Sequence, residues 1–254
     1  MNMQADATTT KVALAGLFHD IGKFLQEILE ISPEYRANNA DLYQPFHNGR
    51  HSHQHALYTA AFIEQYQHVL PHNLNAVTWG AGEREDSFIN LAAAHHKANT
   101  ALQWIIAMAD RISSGLDRTD FEKGKAIPYT QYRRTRLSTL FEQLGLQDAT
   151  APVSAATLQW RYRLLPLHAS SIFPQQEGDC SDETTARAEY RSLCQGFLKH
   201  LEQLANQNNV SLWMQHFDSL LHAYTTHIPA ARVQMVIPDV SLYDHARSTS
   251  ALAA

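Results

Sequence analysis

The chain has 254 residues, 44% of them apolar, and a formal net charge of −5. That length holds one large domain or one domain with an extension, and the mildly acidic balance excludes a protein that coats nucleic acid by bulk charge. Its two cysteines, Cys180 and Cys194, are too few for a disulfide framework or an all-thiolate zinc site. No apolar run approaches the ~18 residues of a membrane span. The opening Met1-Asn2-Met3-Gln4-Ala5-Asp6 lacks the basic and apolar regions of a secretory signal. The expectation is a cytoplasmic protein with no membrane partner.

In chain order, Thr10 is a candidate N-cap for a helix from Lys11 to Ile31, along which Leu14, Leu17, Phe18, Ile21, Phe24, Leu25 and Ile28 recur at helical spacing. Ser32-Pro33 reads as its stop. Ala37 to His51, with Asn38-Asn39, Pro45 and Asn48-Gly49, reads as loop. A helix is predicted from Ser52 or His53 to Gln67, burying Leu57, Ala60, Ala61 and Ile63. Gly80 to Asp86 is a polar loop, and Phe88 to His96 a short helix ending on a double histidine. Leu102 to about Gly115 is the next helix, and Asp117 to Pro128 a loop. Tyr132 to Gln147 is predicted helical, with Leu137, Leu140, Phe141 and Leu144 inward. Pro152 marks a boundary region, and Trp160 to Pro166 reads as a short strand. Helices are predicted at Glu183–Asn206 and Ser211–Thr225. The pattern predicts an all-α bundle with at most two short strands. The division expected is a domain over 1–147 and a mostly helical linker region over 148–254.

His19-Asp20 lies at the edge of the first apolar stripe, where a carboxylate needs a partner and a metal ion is a good one. Further histidines cluster rather than scatter, as His51, His53 and His55 and as His95-His96, and Asp110 follows in Ala107-Met108-Ala109-Asp110. Mixed imidazole and carboxylate donors suit borderline-hard divalent ions such as Mn, Ni, Co, Fe or Zn. On an ideal helix His95 and His96 point about 100° apart; His95, which shares a face with Phe88, Leu91 and Ala92, is preferred as the inward ligand, with His96 for a second ion or the substrate, and which of the two ligates directly stays open. Lys23 lies one turn beyond His19, placed to meet a phosphate as a point charge. Arg133, Arg134 and Arg136 form a local basic group suited to a nucleic-acid backbone.

The run Leu17-Phe18-His19-Asp20-Ile21-Gly22-Lys23 resembles the signature of HD-superfamily metal-dependent phosphohydrolases. His55-Ala56-Leu57-Tyr58-Thr59, Ala94-His95-His96-Lys97, Ala107-Met108-Ala109-Asp110-Arg111 and Asp239-Val240-Ser241-Leu242-Tyr243-Asp244-His245 narrow the match. Together they resemble the large subunit of type III CRISPR effector complexes, the III-A (Csm) branch especially. That resemblance implies an HD helical bundle acting as a metal-dependent nuclease on single-stranded DNA in antiviral defence, with crRNA and other effector subunits as partners. It selects His55 over His51 and His53. It implies one or two ions held by His19, Asp20, His55, His95, His96 and Asp110, with His19, Asp20 and Lys23 in catalytic roles. In that family the Tyr-Asp-His stretch leads into a palm domain bearing Gly-Gly-Asp-Asp; these 254 residues contain no such motif. The expectation is therefore a nuclease module without the cyclase, its tail from Ile237 loosely packed, as an excised piece or a split gene product. Two alternatives stand beside it: an HD phosphohydrolase of nucleotides, and a catalytically weak scaffold for crRNA-complex assembly.

Overall fold

The computed structural model describes residues 6–72, 74–76, 78–80, 82–116, 129–142, 159–176, 179–231 and 237–254. Among them the chain is all-α apart from one two-stranded hairpin, and no described helix is long and apolar enough to cross a membrane. The helices are α1 (Ala7–Phe18), α2 (Ile21–Leu25), α3 (Pro33–Tyr43), α4 (His55–Gln65), α5 (Phe88–Ala93), α6 (Ala101–Leu116), α7 (Glu183–Leu201), α8 (Val210–Thr225) and α9 (Leu242–Ala253). The strands are β1 (Phe46–His47) and β2 (Arg50–His51).

Several boundaries differ from the sequence expectation, each for a local reason. The first predicted helix is broken at His19-Asp20, where Asp20 leaves helical geometry (φ −106, ψ 7). Ser32-Pro33 starts a helix instead of stopping one. The Ser32 hydroxyl accepts a hydrogen bond from Tyr35 N–H, and Pro33 occupies the first turn, where its missing N–H costs nothing. The stretch read as loop therefore holds α3 and then the hairpin. Asn48 (φ 51) and Gly49 (φ 77) take the two left-handed positions that a tight two-residue hairpin requires.

The helix predicted over Tyr132–Gln147 is replaced by two short 3-10 segments, Tyr129–Arg134 and Leu140–Glu142. Between them Ser138 bridges to Arg161, which bridges in turn to Gln175. Leu137 is buried as predicted, but Leu140 and Phe141 face solvent. The strand read over Trp160–Pro166 shrinks to those bridges at Arg161. Leu144, the loop over 117–128, the 147/148 boundary and residues 232–236 of the tail lie outside the described residues.

The chain divides into two compact units, neither of them continuous: residues 1–113, 198–219 and 246–254 form unit 1, and residues 114–197 and 220–245 form unit 2. Unit 1 is centred on Phe18, fully buried against Phe88 edge-on (5.3 Å between ring centroids) and Phe217 face-on (4.4 Å). Burying such a side chain is worth about 1.5–3 kcal/mol. The C-terminal residues, expected to pack loosely, are instead part of this core. Ser250 donates its hydroxyl to Ala13 O (2.7 Å), and a Cβ on Gly16 would lie 3.0 Å from Ser250 Cα. A glycine and a serine face each other there, so the two backbones can approach closely. Unit 2 buries Tyr190, Leu193, Cys194, Phe197 and Leu221 from α7 and α8.

Candidate metal centre

The break between α1 and α2 builds the first half of the site. At the end of α1, His19 donates its Nδ1–H to Gly16 O (2.7 Å), which leaves Nε2 with its lone pair facing outward from the helix. That nitrogen lies 3.4 Å from Asp20 Oδ2 and 3.6 Å from Asp110 Oδ1, brought in on α6. Lys23 Nζ pairs with Asp20 Oδ2 at 2.5 Å.

α4 supplies the next candidate ligand because it can approach α2 closely. A Cβ on Gly22 would sit 2.0 Å from His55 O, so no larger residue fits there. The Gly22 N–H donates to Thr59 Oγ1 (3.1 Å), whose hydroxyl donates to His19 O (2.9 Å), stitching the two helices together. This contact puts His55 Nε2 3.2 Å from Asp20 Oδ1.

α5 ends at Ala93, one turn before the sequence pattern suggests, so His95 and His96 sit in the turn beyond it and the 100° helical offset does not apply. Both reach the site. His95 Nε2 lies 3.9 Å from Asp20 Oδ1, its Nδ1 held by Ala92 O (3.0 Å); His96 Nε2 lies 2.9 Å from His55 Nε2. Asp20, His55, His95 and His96 each offer a donor atom within 4.8 Å of the others.

The electrostatics favour a cation. Burial, reinforced by neighbouring rings, holds His96 down to about 2 and His95 down to about 4, and pushes His55 well below its usual value. These three rings are therefore neutral at neutral pH, as ligands must be. His19 moves the other way: burial penalises its charge, but Asp20 and Asp110 outweigh burial and raise its pKa. His95 Nε2 is buried with no hydrogen-bond partner among the described residues. An orphaned buried nitrogen is costly unless something binds it. Tetrahedral ligands held about 2.1 Å from one ion lie roughly 3.4 Å apart, close to the 3.2 Å between His55 Nε2 and Asp20 Oδ1, with His96 Nε2 a little nearer to His55 Nε2 at 2.9 Å. The residues fit a divalent ion.

All six residues read from the sequence as ligands thus converge in unit 1. His53, read as a loop residue, has a positive φ (54), and its ring centroid lies 3.9 Å from that of His96 with the planes tilted by 41°, at the exposed edge of the cluster. No helical periodicity marks it, because it precedes α4. The arginines lie in unit 2 and have internal partners. Arg133 pairs with Glu183 (3.1 Å), Arg134 donates to Cys180 O (2.8 Å), and the buried Arg136 pairs with Glu189. These contacts brace unit 2, and a nucleic-acid backbone would have to compete with them.

Comparison with known proteins agrees with this geometry. The HD domain family matches residues 1–115. Over 96% of its length the chain is 25% identical to the CRISPR system single-strand-specific deoxyribonuclease Cas10/Csm1 (subtype III-A) of Methanocaldococcus jannaschii, of which it covers 27%. The fold of 97% of the chain also matches the crystal structure of an apo Csm1-Csm4 cassette, with a TM-score of 0.51 at 18% identity, again over 27% of that chain. The chain thus spans about a quarter of the length of the proteins it matches. Residues 1–115 are thus similar to the HD domain family, and most of the chain is similar to a Cas10/Csm1 protein of a type III-A CRISPR system.

Proposed function

We propose that the chain is the HD nuclease module of a type III CRISPR effector large subunit, hydrolysing phosphodiester bonds in single-stranded DNA with one or two divalent transition-metal ions. The observation that carries this reading is the buried convergence of Asp20, His55, His95 and His96, with His19 and Asp110 beside them. The similarity to a single-strand-specific deoxyribonuclease supports the choice of substrate. Effector-complex subunits and crRNA are the partners expected from the same likeness, and the cytoplasm is the expected compartment.

When bound, such ions activate water and neutralise charge on the phosphate. The chain's own residues do the rest. Gly16 O holds the His19 ring in one tautomer, and Ala92 O does the same for His95, so the lone pairs are aimed before any ion arrives. Asp20 offers two carboxylate oxygens, one towards His19 and Lys23 and one towards His55 and His95, so it would help to hold an ion on either side. Lys23, partly exposed beside Asp20, supplies a positive charge for a phosphate oxygen.

The test is a cleavage assay on linear single-stranded DNA, the same sequence as duplex, and mononucleotides, across a panel of divalent metals. The reading expects single-strand cleavage restored best by Mn or Ni after chelation. Turnover of mononucleotides with no strand cleavage would transfer the site to nucleotide hydrolysis.

A further inference from the structure

Beside the metal centre stands a feature that neither the cluster nor the core requires. The β1–β2 hairpin projects between α3 and α4 with all four of its strand residues exposed: Phe46, His47, Arg50 and His51. Phe46 is 62% exposed, the highest value of any large apolar side chain among the described residues of unit 1. It lies directly opposite His51, so the two rings share one face, with centroids 4.9 Å apart. His47 and Arg50 pair on the other face.

The hairpin is pinned. Ser52 N–H donates to Pro45 O (3.0 Å), and the buried Gln44 side chain donates to Ser52 O (2.6 Å), closing its base from both sides. Its position relative to the metal cluster is fixed by two routes. Along the chain His55, a candidate ligand, is only four positions beyond His51, a reach of at most about 14 Å. Through space, His51 Nε2 lies 3.6 Å from Asp41 Oδ1, and Lys97, which directly follows the double histidine, donates to Asp41 O. A rigid, exposed aromatic pair with a guanidinium on the same two-stranded element, a few nucleotides from a phosphodiester-cleaving centre, matches what unpaired nucleic acid needs: a ring to stack on and a cation for its backbone.

We propose that the β1–β2 hairpin is the platform that guides single-stranded DNA to the metal centre, Phe46 and His51 stacking on a base and Arg50 meeting the backbone phosphate. This rests on the nuclease reading above for its purpose, but its test does not depend on turnover.

The test measures binding of a fluorescein-labelled oligothymidylate by anisotropy in excess chelator, alongside hydrolysis of bis(p-nitrophenyl) phosphate and metal content. Phe46→Ala and Arg50→Ala are each expected to weaken oligonucleotide binding about tenfold, with Phe46→Trp restoring it. Metal content and turnover of the small diester, which has no base to stack, are expected to stay at the parent values. Parent-level oligonucleotide binding by Phe46→Ala, or no binding by the parent chain, would overturn the platform. Binding that depends on Phe46 in a parent chain that cleaves no DNA would uphold the platform and sink the nuclease reading instead.

Discussion

At the scale of single residues, the site was legible because its chemistry is carried by residue types that are rare together. His19-Asp20, the double histidine and Asp110 stand out in the sequence, and the fold brings them within ion-binding distance. What the sequence hid was orientation. On an ideal helix the rings of His95 and His96 would point about 100° apart, which leaves open which of them ligates directly; both face the cluster because α5 stops at Ala93. Replacing Asp20 or His55 by Ala removes a ligand, and DNA cleavage should fall by several orders of magnitude; His53→Ala, at the edge, should cost far less. The reverse ranking of His53 and His55 in initial rates would move the ligand upstream.

The same rings set a pH dependence. Those of His55, His95 and His96 are held neutral when folded, yet they take up protons below about pH 6.5 once unfolded. Stability of the chelated chain should therefore fall as pH drops from 6.5 towards 4, by an amount on the order of 3 kcal/mol for each ring that stays neutral, with the raised pKa of His19 opposing the trend. Chemical denaturation of the chelated protein at pH 7 and pH 5 checks this. A steady gain on acidification would show that the carboxylate–His19 pairs dominate.

At the scale of elements, apolar periodicity found most of the long helices but not their punctuation. It ran straight through His19-Asp20, because the residues on both sides are buried on the same stripe. It took Ser32-Pro33 as an end because a proline ends helices more visibly than it begins them, whereas here Ser32 supplies the cap. In 132–147 apolar spacing suggested a helix, but long-range bridges to Arg161 hold an extended backbone around Ser138. The contact of α2 with α4 is the element-level feature on which the site depends most. Gly22→Ala places a methyl group against His55 O, and backbone cannot yield as a flexible side chain can. This substitution should cost at least about 3 kcal/mol and weaken metal binding. Thermal unfolding and metal titration of the variant, with Gly115→Ala, where an added Cβ meets nothing within 4 Å, as a comparison, give the answer. Equal metal affinity in Gly22→Ala and the parent would mean that α4 does not depend on this approach.

At the scale of the whole molecule, local sequence signals carry no information about which distant segments return to one another. The expected division into consecutive regions contrasts with a unit 1 built from three separate stretches, the last of them the end of α9. Ser250 against Ala13 and Gly16 is a contact across more than two hundred residues, and nothing in either segment alone announces it. Removing residues 246–254 should therefore destabilise the metal-binding unit itself, which a melting curve of the shortened chain would register as a lower Tm; an unchanged Tm would make the contact dispensable.

The central claim is that these histidines and aspartates hold metal. Its most direct test is Mn²⁺ binding at equilibrium, counted per chain, for the parent and for a folded Asp20→Ala variant. The account predicts one or two tightly bound ions in the parent and their loss in the variant. The same uptake by both chains, or none by either, would contradict it.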